Sequence, residues 1–595
     1  MIFRIAVILF LAVSGATIVS AQSQPSQLTR EEERKKREEL RKKIKETLEG
    51  ALSDVALLKS FENKTFFQVR IACLLWDYDE KGARLLIEDA QALAARMVND
   101  PKINYRRSKF ETGVWDYRIW LRRELVSMIA ERDPQLALEF LRQTKFVISQ
   151  DSLQSDRARL ALGFDAGMEQ KLASQVAKSD PKLALEIAEE SLKKGISDEL
   201  GELVKVVFEK DKEAGKKLAG AILSKLKSAD LASNPDYIEV ALRLLEGEYA
   251  SHRPETATGE NILAVKKRAP VLDDQALREW NNLIIQASLA FMSRGAQANH
   301  QEFNVIRDQL SILMRMLPEM EKLSPALVAN VRQRYDQLLP RMDPKDKIRL
   351  EMPNAKAEDI LELAMKSQGD LRAEYLTRAV RNALDSEGNF ELARKIAEDQ
   401  ISDPDDRKAM MERIDEKEKQ FSIEHGEIEE VAASLMSLGS DAERATRLTD
   451  LAARASKRGD KKLAVELLEK ALKYLPQPVE TREEYELMIR VINNSIGVDP
   501  ERGFEMFGSL IDPINQLVTI TNQFKRYEGK RSDHIRDEIP LPELRNDFLA
   551  NGFVETIAPL SKTDFERSIS LTERIRQPEL RLHMKLLAIQ AVSSE

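Results

Sequence analysis

The chain has 595 residues, 43% of them apolar and 32% charged, with 23 Gly, 21 Pro and one Cys. That composition is rich in helix formers and nearly lacks the alternating Val/Ile/Thr runs of a sheet, so an all-α protein with a large core is expected. The 92 basic and 100 acidic residues leave a net charge of −8, which excludes the broad basic footprint of a general nucleic-acid binder, and a lone Cys73 excludes an internal disulfide.

The chain opens MIFRIAVILFLAVSGATIVSAQSQ. One basic residue (Arg4), a short apolar run and the small residues Val19-Ser20-Ala21 predict a secretory signal peptide over 1–21, cleaved between Ala21 and Gln22. The run is short for a bilayer span, so membrane contact is expected only through an uncleaved signal. Loss of Arg4 gives a mature charge of 91 − 100 = −9. The destination is periplasmic or extracellular, and the signal has a bacterial look.

A charged helix is predicted within 22–60. Thr29 and Glu32 form a capping box, and Glu31–Lys35, Glu32–Lys36, Glu33–Arg37, Glu38–Lys42 and Glu39–Lys43 stand one turn apart. Residues 30–39 carry no apolar side chain and should stand in solvent; Leu40, Ile44, Leu48, Leu52 and Val55 then form a docking stripe. Cys73 lies in the apolar run VRIACLLW, where a buried, inert thiol is expected.

The segment NYRRSKFETGVWDYRIWLRRE (104–124) is the most unusual local composition, with six basic and three acidic residues and two of the four Trp. Tyr105, Arg106, Arg107, Trp115, Tyr117, Arg118 and Trp120 form the candidate binding patch: aromatic faces stack on sugars and guanidinium forks hold anions. The plainer reading is a loop entering a helix over 114–130, whose Trp115, Ile119 and Arg122/Arg123 alternate between core and solvent.

ERDPQLALEF (131–140) and KSDPKLALEI (178–187) repeat one pattern at a spacing of 47. Asp133 and Asp180 are predicted N-caps and the prolines first helical residues, while Ala137 and Ala184, four places after the caps, mark close approach of a neighbour. Asp79/Ala83, Asp211/Gly215, Asn389/Ala393, Asp460/Ala464, Asp499/Gly503 and Asp564/Ser568 share the spacing. Helix–turn–helix units recurring every few tens of residues predict an α-solenoid of antiparallel hairpins.

In RATRLTDLAARASKRGDKKLAVELLEKALKYLP (444–476), Leu448, Leu451, Ala452 and Ala455 line one helix and Ala464, Leu468, Ala471 and Pro476 the next, around a Gly459-Asp460 turn. This unit resembles a tetratricopeptide repeat, departing from the family where Leu448 and Ala455 replace aromatics. Units 118–151 and 165–198 look like degenerate relatives. The resemblance implies stacked hairpins with a concave binding surface and names no ligand.

The expected organisation is a repeat lobe over 61–250, a linker over 251–272, a middle helical block over 273–339, a linker over 340–356, a tetratricopeptide-like lobe over 357–524, a linker over 525–547 and a helical pair over 548–595. No pair among His252, His300, His425, His534 and His583 stands one helical turn apart, and no HExxH, CxxC, GxSxG or phosphate-cradling Gly motif occurs. No catalytic residue, metal or cofactor is therefore expected. The favoured function is an exported scaffold or adaptor acting through a protein partner, without nucleic acid. The alternatives are a cell-wall or carbohydrate binder using 104–124, and a hydrolase with a carboxylate site in the solenoid groove.

Overall fold

A computed structural model describes residues 30–99, 117–145, 156–231, 234–251, 270–293, 300–323, 325–342, 356–385, 388–434, 440–475, 481–527 and 550–593, together with 538, 539, 541 and 544. No strand occurs among them. The first half runs α1 (Arg30–Leu57), α2 (Phe61–Leu75), α3 (Glu80–Asn99), α4 (Tyr117–Ala130), α5 (Pro134–Gln143), α6 (Asp156–Val176), α7 (Pro181–Lys194), α8 (Leu200–Lys210), α9 (Lys212–Ser228), α10 (Pro235–Ser251), α11 (Asp274–Met292), α12 (His300–Leu323) and α13 (Pro325–Leu338). The second half runs α14 (Ala357–Lys366), α15 (Gly369–Asp385), α16 (Phe390–Gln400), α17 (Pro404–His425), α18 (Ile428–Ser434), α19 (Asp441–Lys457), α20 (Lys461–Lys473), α21 (Arg482–Val498), α22 (Pro500–Tyr527), α23 (Glu555–Thr563), α24 (Phe565–Glu573) and α25 (Pro578–Ser593).

Consecutive helices pair as hairpins, and each first helix also packs on the first helix of the next hairpin: α2 on α4, α4 on α6, α6 on α8 and α8 on α10. The second layer follows the same rule, with α3 on α5 and α7 on α9. Neighbour-only packing in two layers is an α-solenoid.

The hairpin corners explain the repeated Asp. Asp79, Asp133, Asp180, Asp211, Asp460, Asp499 and Asp564, with Asn389, each place a side-chain oxygen on an amide two or three residues ahead, satisfying a donor that the new helix leaves open. Several also end the preceding helix: the amides of Asp133, Asp180, Asp211, Asp499 and Asp564 donate to the carbonyls of Ile129, Val176, Val207, Ser495 and Leu560. One residue thus closes one helix and opens the next, at about 1 kcal/mol per cap. The small residue four places on is buried at every corner. At two it must be glycine: a Cβ on Gly215 would lie 2.5 Å from Phe208 Cβ, and one on Gly503 would lie 2.6 Å from Ile496 Cγ1.

In the α19–α20 hairpin, Leu448, Leu451, Ala452, Ala455, Ala464, Leu468 and Ala471 are all buried. Gly459 turns the corner at φ +87°, a left-handed conformation that suits glycine. The stacked-hairpin expectation holds; nothing distinguishes this hairpin as a tetratricopeptide repeat rather than another helical repeat.

Two expectations need correction. The 548–595 segment holds three α-helices, not a pair, because Asp564 ends α23 and restarts the chain as α24. Arg122 is 0% exposed and Arg123 is exposed, the alternation between core and solvent expected of that pair. Within α1 the Glu31–Lys35 pair forms at 3.6 Å, but Lys43 reaches Glu566 instead of staying within its own helix. Residues 31–39 are exposed and Ile44, Leu48, Ala51 and Val55 are buried, as the stripe predicts.

The two chain ends meet. α1 and α2 both pack on α25, and one core runs through residues 44–342 and resumes over 428–589. A smaller core occupies 357–414. The row of helices therefore starts at α14, runs to α25, crosses to α1 and ends at α13. Its outermost helices turn polar side chains outward, Glu358, Asp359 and Glu362 on α14 and Arg332, Gln333 and Asp336 on α13, as terminal repeats must. The covalent termini flank an internal joint, and the array's own ends lie in mid-sequence. Met342 and Lys356 are 14 residues apart, so these ends stand within about 50 Å of one another. A straight two-layer row of 25 helices, spaced about 9 Å apart, would exceed that, so the array curves.

Candidate functional site

Of the 104–124 patch, Tyr105, Arg106, Arg107 and Trp115 lie outside the described residues, as do Ala21 and Gln22. Tyr117 opens α4. Arg118 is buried, and its Nη1 donates to Val98 O at 3.1 Å, closing the end of α3. Trp120 is half-buried against the core. Arg122 reaches Leu141 O at 2.5 Å, Thr144 Oγ1 at 3.1 Å and the carboxylate of Asp165, tying α4 to the end of α5 and to α6. Two guanidinium groups of the 104–124 segment therefore hold helix ends together.

The joint of the chain ends gathers more chemistry. Lys585 of α25 sits with its Nζ 2.7 Å from Asp54 Oδ2 of α1 and 2.6 Å from Glu573 Oε1 of α24. Arg581 Nη2 donates to Asp54 Oδ1 at 3.2 Å. A groove of about 610 Å³ runs above this network, with Phe565, Ile569, Thr47 and Gly50 among its walls and Lys43, Glu46, Glu566 and Glu573 on its rim. Further along α25, Arg70 Nη1 lies 2.6 Å from His583 Nδ1, and Tyr78 Oη lies 3.3 Å from Ser593 Oγ.

Glu538 and Ile539 meet the same joint. Glu538, 5% exposed, accepts from the amides of Lys59 and Ser60 and from Asn63 Nδ2 at 3.0 Å, so it sits on the amino terminus of α2. The neighbouring Ile539 donates its amide to Glu579 Oε1 in the first turn of α25. Glu579 is fully buried and its Oε2 has no hydrogen-bond partner. Burial pushes its carboxyl up to about 7; the Ile539 amide and Gln577 pull downward, and nearby Glu538 pushes further up.

A second groove, about 530 Å³, lies between α15 and α17. Ala373, Leu376, Ile401 and Met410 give it an apolar floor, and Arg372, Arg413, Asp403 and Asp406 a charged rim. Asp403 caps α17 through the amides of Asp405 and Asp406. Cys73 points Sγ at Met128 O, 3.4 Å away, and burial pushes its thiol up to about 12, which keeps it a protonated, inert thiol. No cluster of three or more His, Cys, Asp or Glu able to hold a metal ion occurs among the described residues, and no described helix is long and apolar enough to cross a membrane.

Sequence reasoning passed over Asp54, Glu538, Arg581 and Glu579, which have nothing unusual around them. Lys585 did leave a trace: it stands alone in the apolar run LHMKLLAIQ. That run is apolar on every side, the mark of a helix enclosed by others.

No known protein family matches the chain, and no curated protein matches it. Among solved structures it is similar to a circular tandem repeat protein described as having novel repeat topology and enhanced subunit contact surfaces, at 15% identity over 90% of this chain and 98% of that chain, with a TM-score of 0.15. A likeness so weak carries no argument. The fold rests on the helices themselves.

Proposed function

We propose that the chain is an exported helical-repeat scaffold that holds a protein partner and performs no catalysis of its own. The groove between α15 and α17 carries the reading. Its apolar floor and charged rim match what an amphipathic helix or extended peptide needs: buried area for affinity and charges for register. The curved array supports it further, since solenoids present long concave surfaces to partners. Export rests on the residue pattern of 1–21. Carbohydrate binding through 104–124 has less support, because Arg118 is enclosed and Trp120 half-enclosed by the fold.

Photo-crosslinking in the exported compartment tests the proposal. Probes at Thr377 and Ala409, which line the groove, should capture one shared protein that a probe at Asn330 on the outer face of α13 does not. Identical captures from all three positions would remove the groove from consideration. Sequencing the exported protein should give an amino terminus near Gln22; an amino terminus at Met1 would end the signal-peptide reading.

A further inference from the structure

α15 stands apart from the layer its neighbours form. α17 packs on α19, and the same layer continues without a break through α21, α23, α25, α2, α4, α6, α8, α10 and α12. Among the described residues α15 is the one member that does not join: it packs on α14 and α16, and the groove of about 530 Å³ separates it from α17. We propose that this groove is a helix slot, filled by one amphipathic helix of a partner protein that carries a carboxylate in its first turn and a cation two turns later. The proposal rests on the scaffold reading of the same groove and adds the form and charge pattern of what it holds.

The walls have the length of a helix seat. On α15, Gly369, Arg372, Ala373, Leu376 and Thr377 share one face; on α17, Asp406, Ala409, Met410 and Arg413 do. At 1.5 Å per residue each wall runs about 10–12 Å, two turns of a helix. Ala373 and Ala409 are small and exposed, so a further helix can come close to both walls, over Leu376, Ile401 and Met410. α17 keeps its place through Ile414, its one buried side chain among those described, and through Asp415 and Glu418, which pair with Arg394 of α16. None of these lines the groove.

Backbone chemistry selects a helix over an extended peptide. No strand occurs among the described residues, so an extended chain meets no sheet edge here to bond its amides and carbonyls. A helix bonds its own and turns apolar side chains from two successive turns onto the floor.

The rim sets direction and register. Asp403 caps α17 through the amides of Asp405 and Asp406, and Arg372 Nη2 donates to Gln400 Oε1 at 3.2 Å. The side chains of Asp406 and Arg413 are exposed and bond to nothing among the described residues. They stand seven residues apart on one face of α17, with Met410 between them. A partner helix antiparallel to α17 brings its first turn to Arg413 and its later turns to Asp406. A carboxylate at its start and a cation further on then meet opposite charges and also suit the partner's own dipole.

Fluorescence anisotropy with three synthetic 14-residue peptides on the mature chain tests the slot. The first carries Leu along one face, Glu in its first turn and Lys seven residues on. The second exchanges the two charges, and the third is the first with two prolines at its centre. The first should bind about 10-fold more tightly than the second, and the third should not bind, since proline breaks the helix. The double variant D406K/R413E, changed at two exposed positions, should keep the wild-type helical signal and melting and reverse the preference between the first two peptides. Equal affinity of those two for the wild type, an unreversed preference in the double variant, or binding of the third would overturn the slot. The first peptide should also block capture by the probes at Thr377 and Ala409. Capture that it cannot block, or capture of a second copy of this chain, would leave the groove as a protein-binding surface and end the helix slot. No capture at either probe would remove the scaffold reading, and the slot with it.

Discussion

The α19–α20 hairpin and the joint of α1, α2 and α25 hold helices together in different ways. The hairpin buries Leu448, Leu451, Ala455, Leu468 and Ala471 between helices joined by a three-residue corner, with one capping Asp460. The joint brings together residues about 530 positions apart in sequence: Lys585 bonds Asp54 across |i−j| = 531 and Arg581 does so across 527. It adds charges and caps to its apolar core. A local contact forms at little loop-closure cost and can rely on burial alone. A contact between chain ends must also specify which surfaces meet. The ion network and the Glu538 contact supply that specificity, because apolar faces of similar helices are interchangeable while Asp54, Lys585 and Glu538 fit one register.

The largest expected effect separates the two regions most sharply. Asp54→Ala leaves Lys585 and Arg581 with only Glu573 beside them and should destabilise the joint by about 4 kcal/mol. It should appear in denaturant melts as an earlier transition confined to α1, α2 and α25 by hydrogen exchange. A uniform loss over all helices would show that the joint is not a separate cooperative unit. Next, Leu451→Ala in the hairpin opens a cavity worth about 3 kcal/mol, and exchange should rise first in α19–α21 while the joint keeps its protection. Spread of that loss to α25 before α21 would contradict nearest-neighbour packing.

Smaller still, Asp460→Ala removes one cap and should cost about 1 kcal/mol. Asp133 offers an acid counterpart. Burial pushes its carboxyl up, but the Leu136 and Gln135 amides and Arg84 outweigh that and hold it below 3.8. A group lowered in this way stabilises above its ordinary value and loses that contribution as pH falls through the lower one. Asp133→Asn should therefore flatten acid unfolding below about pH 4. If Asp133→Asn leaves the acid limb unchanged, the corner is held by packing and not by its charge.

The corners were legible because everything they need lies within a dozen residues. An Asp, often followed by Pro, then a small residue four places on, writes both the cap and the close approach into consecutive positions. The α1 stripe was legible for the same reason, since periodicity is local. The Arg122 site was legible only in part: alternation places one of Arg122 and Arg123 inward, but Leu141 O, Thr144 and Asp165 become its partners only through the fold. The Glu538 contact was hidden more deeply, since Glu538 sits in a polar, turn-rich stretch with no periodic signal.

By itself the sequence determined that this chain is helical, where its hairpins turn, and which face of each helix is apolar, because backbone capping and side-chain period are properties of neighbouring residues. Only the tertiary structure decided that α25 docks on α1 and α2, that the array's true ends lie at 342 and 357, and that Glu579 is buried beside Glu538. Those facts depend on which of many similar apolar faces meet. That choice rests on curvature accumulated over the whole array and on a few charged contacts between residues some 500 positions apart, of which the linear chain marks only Lys585.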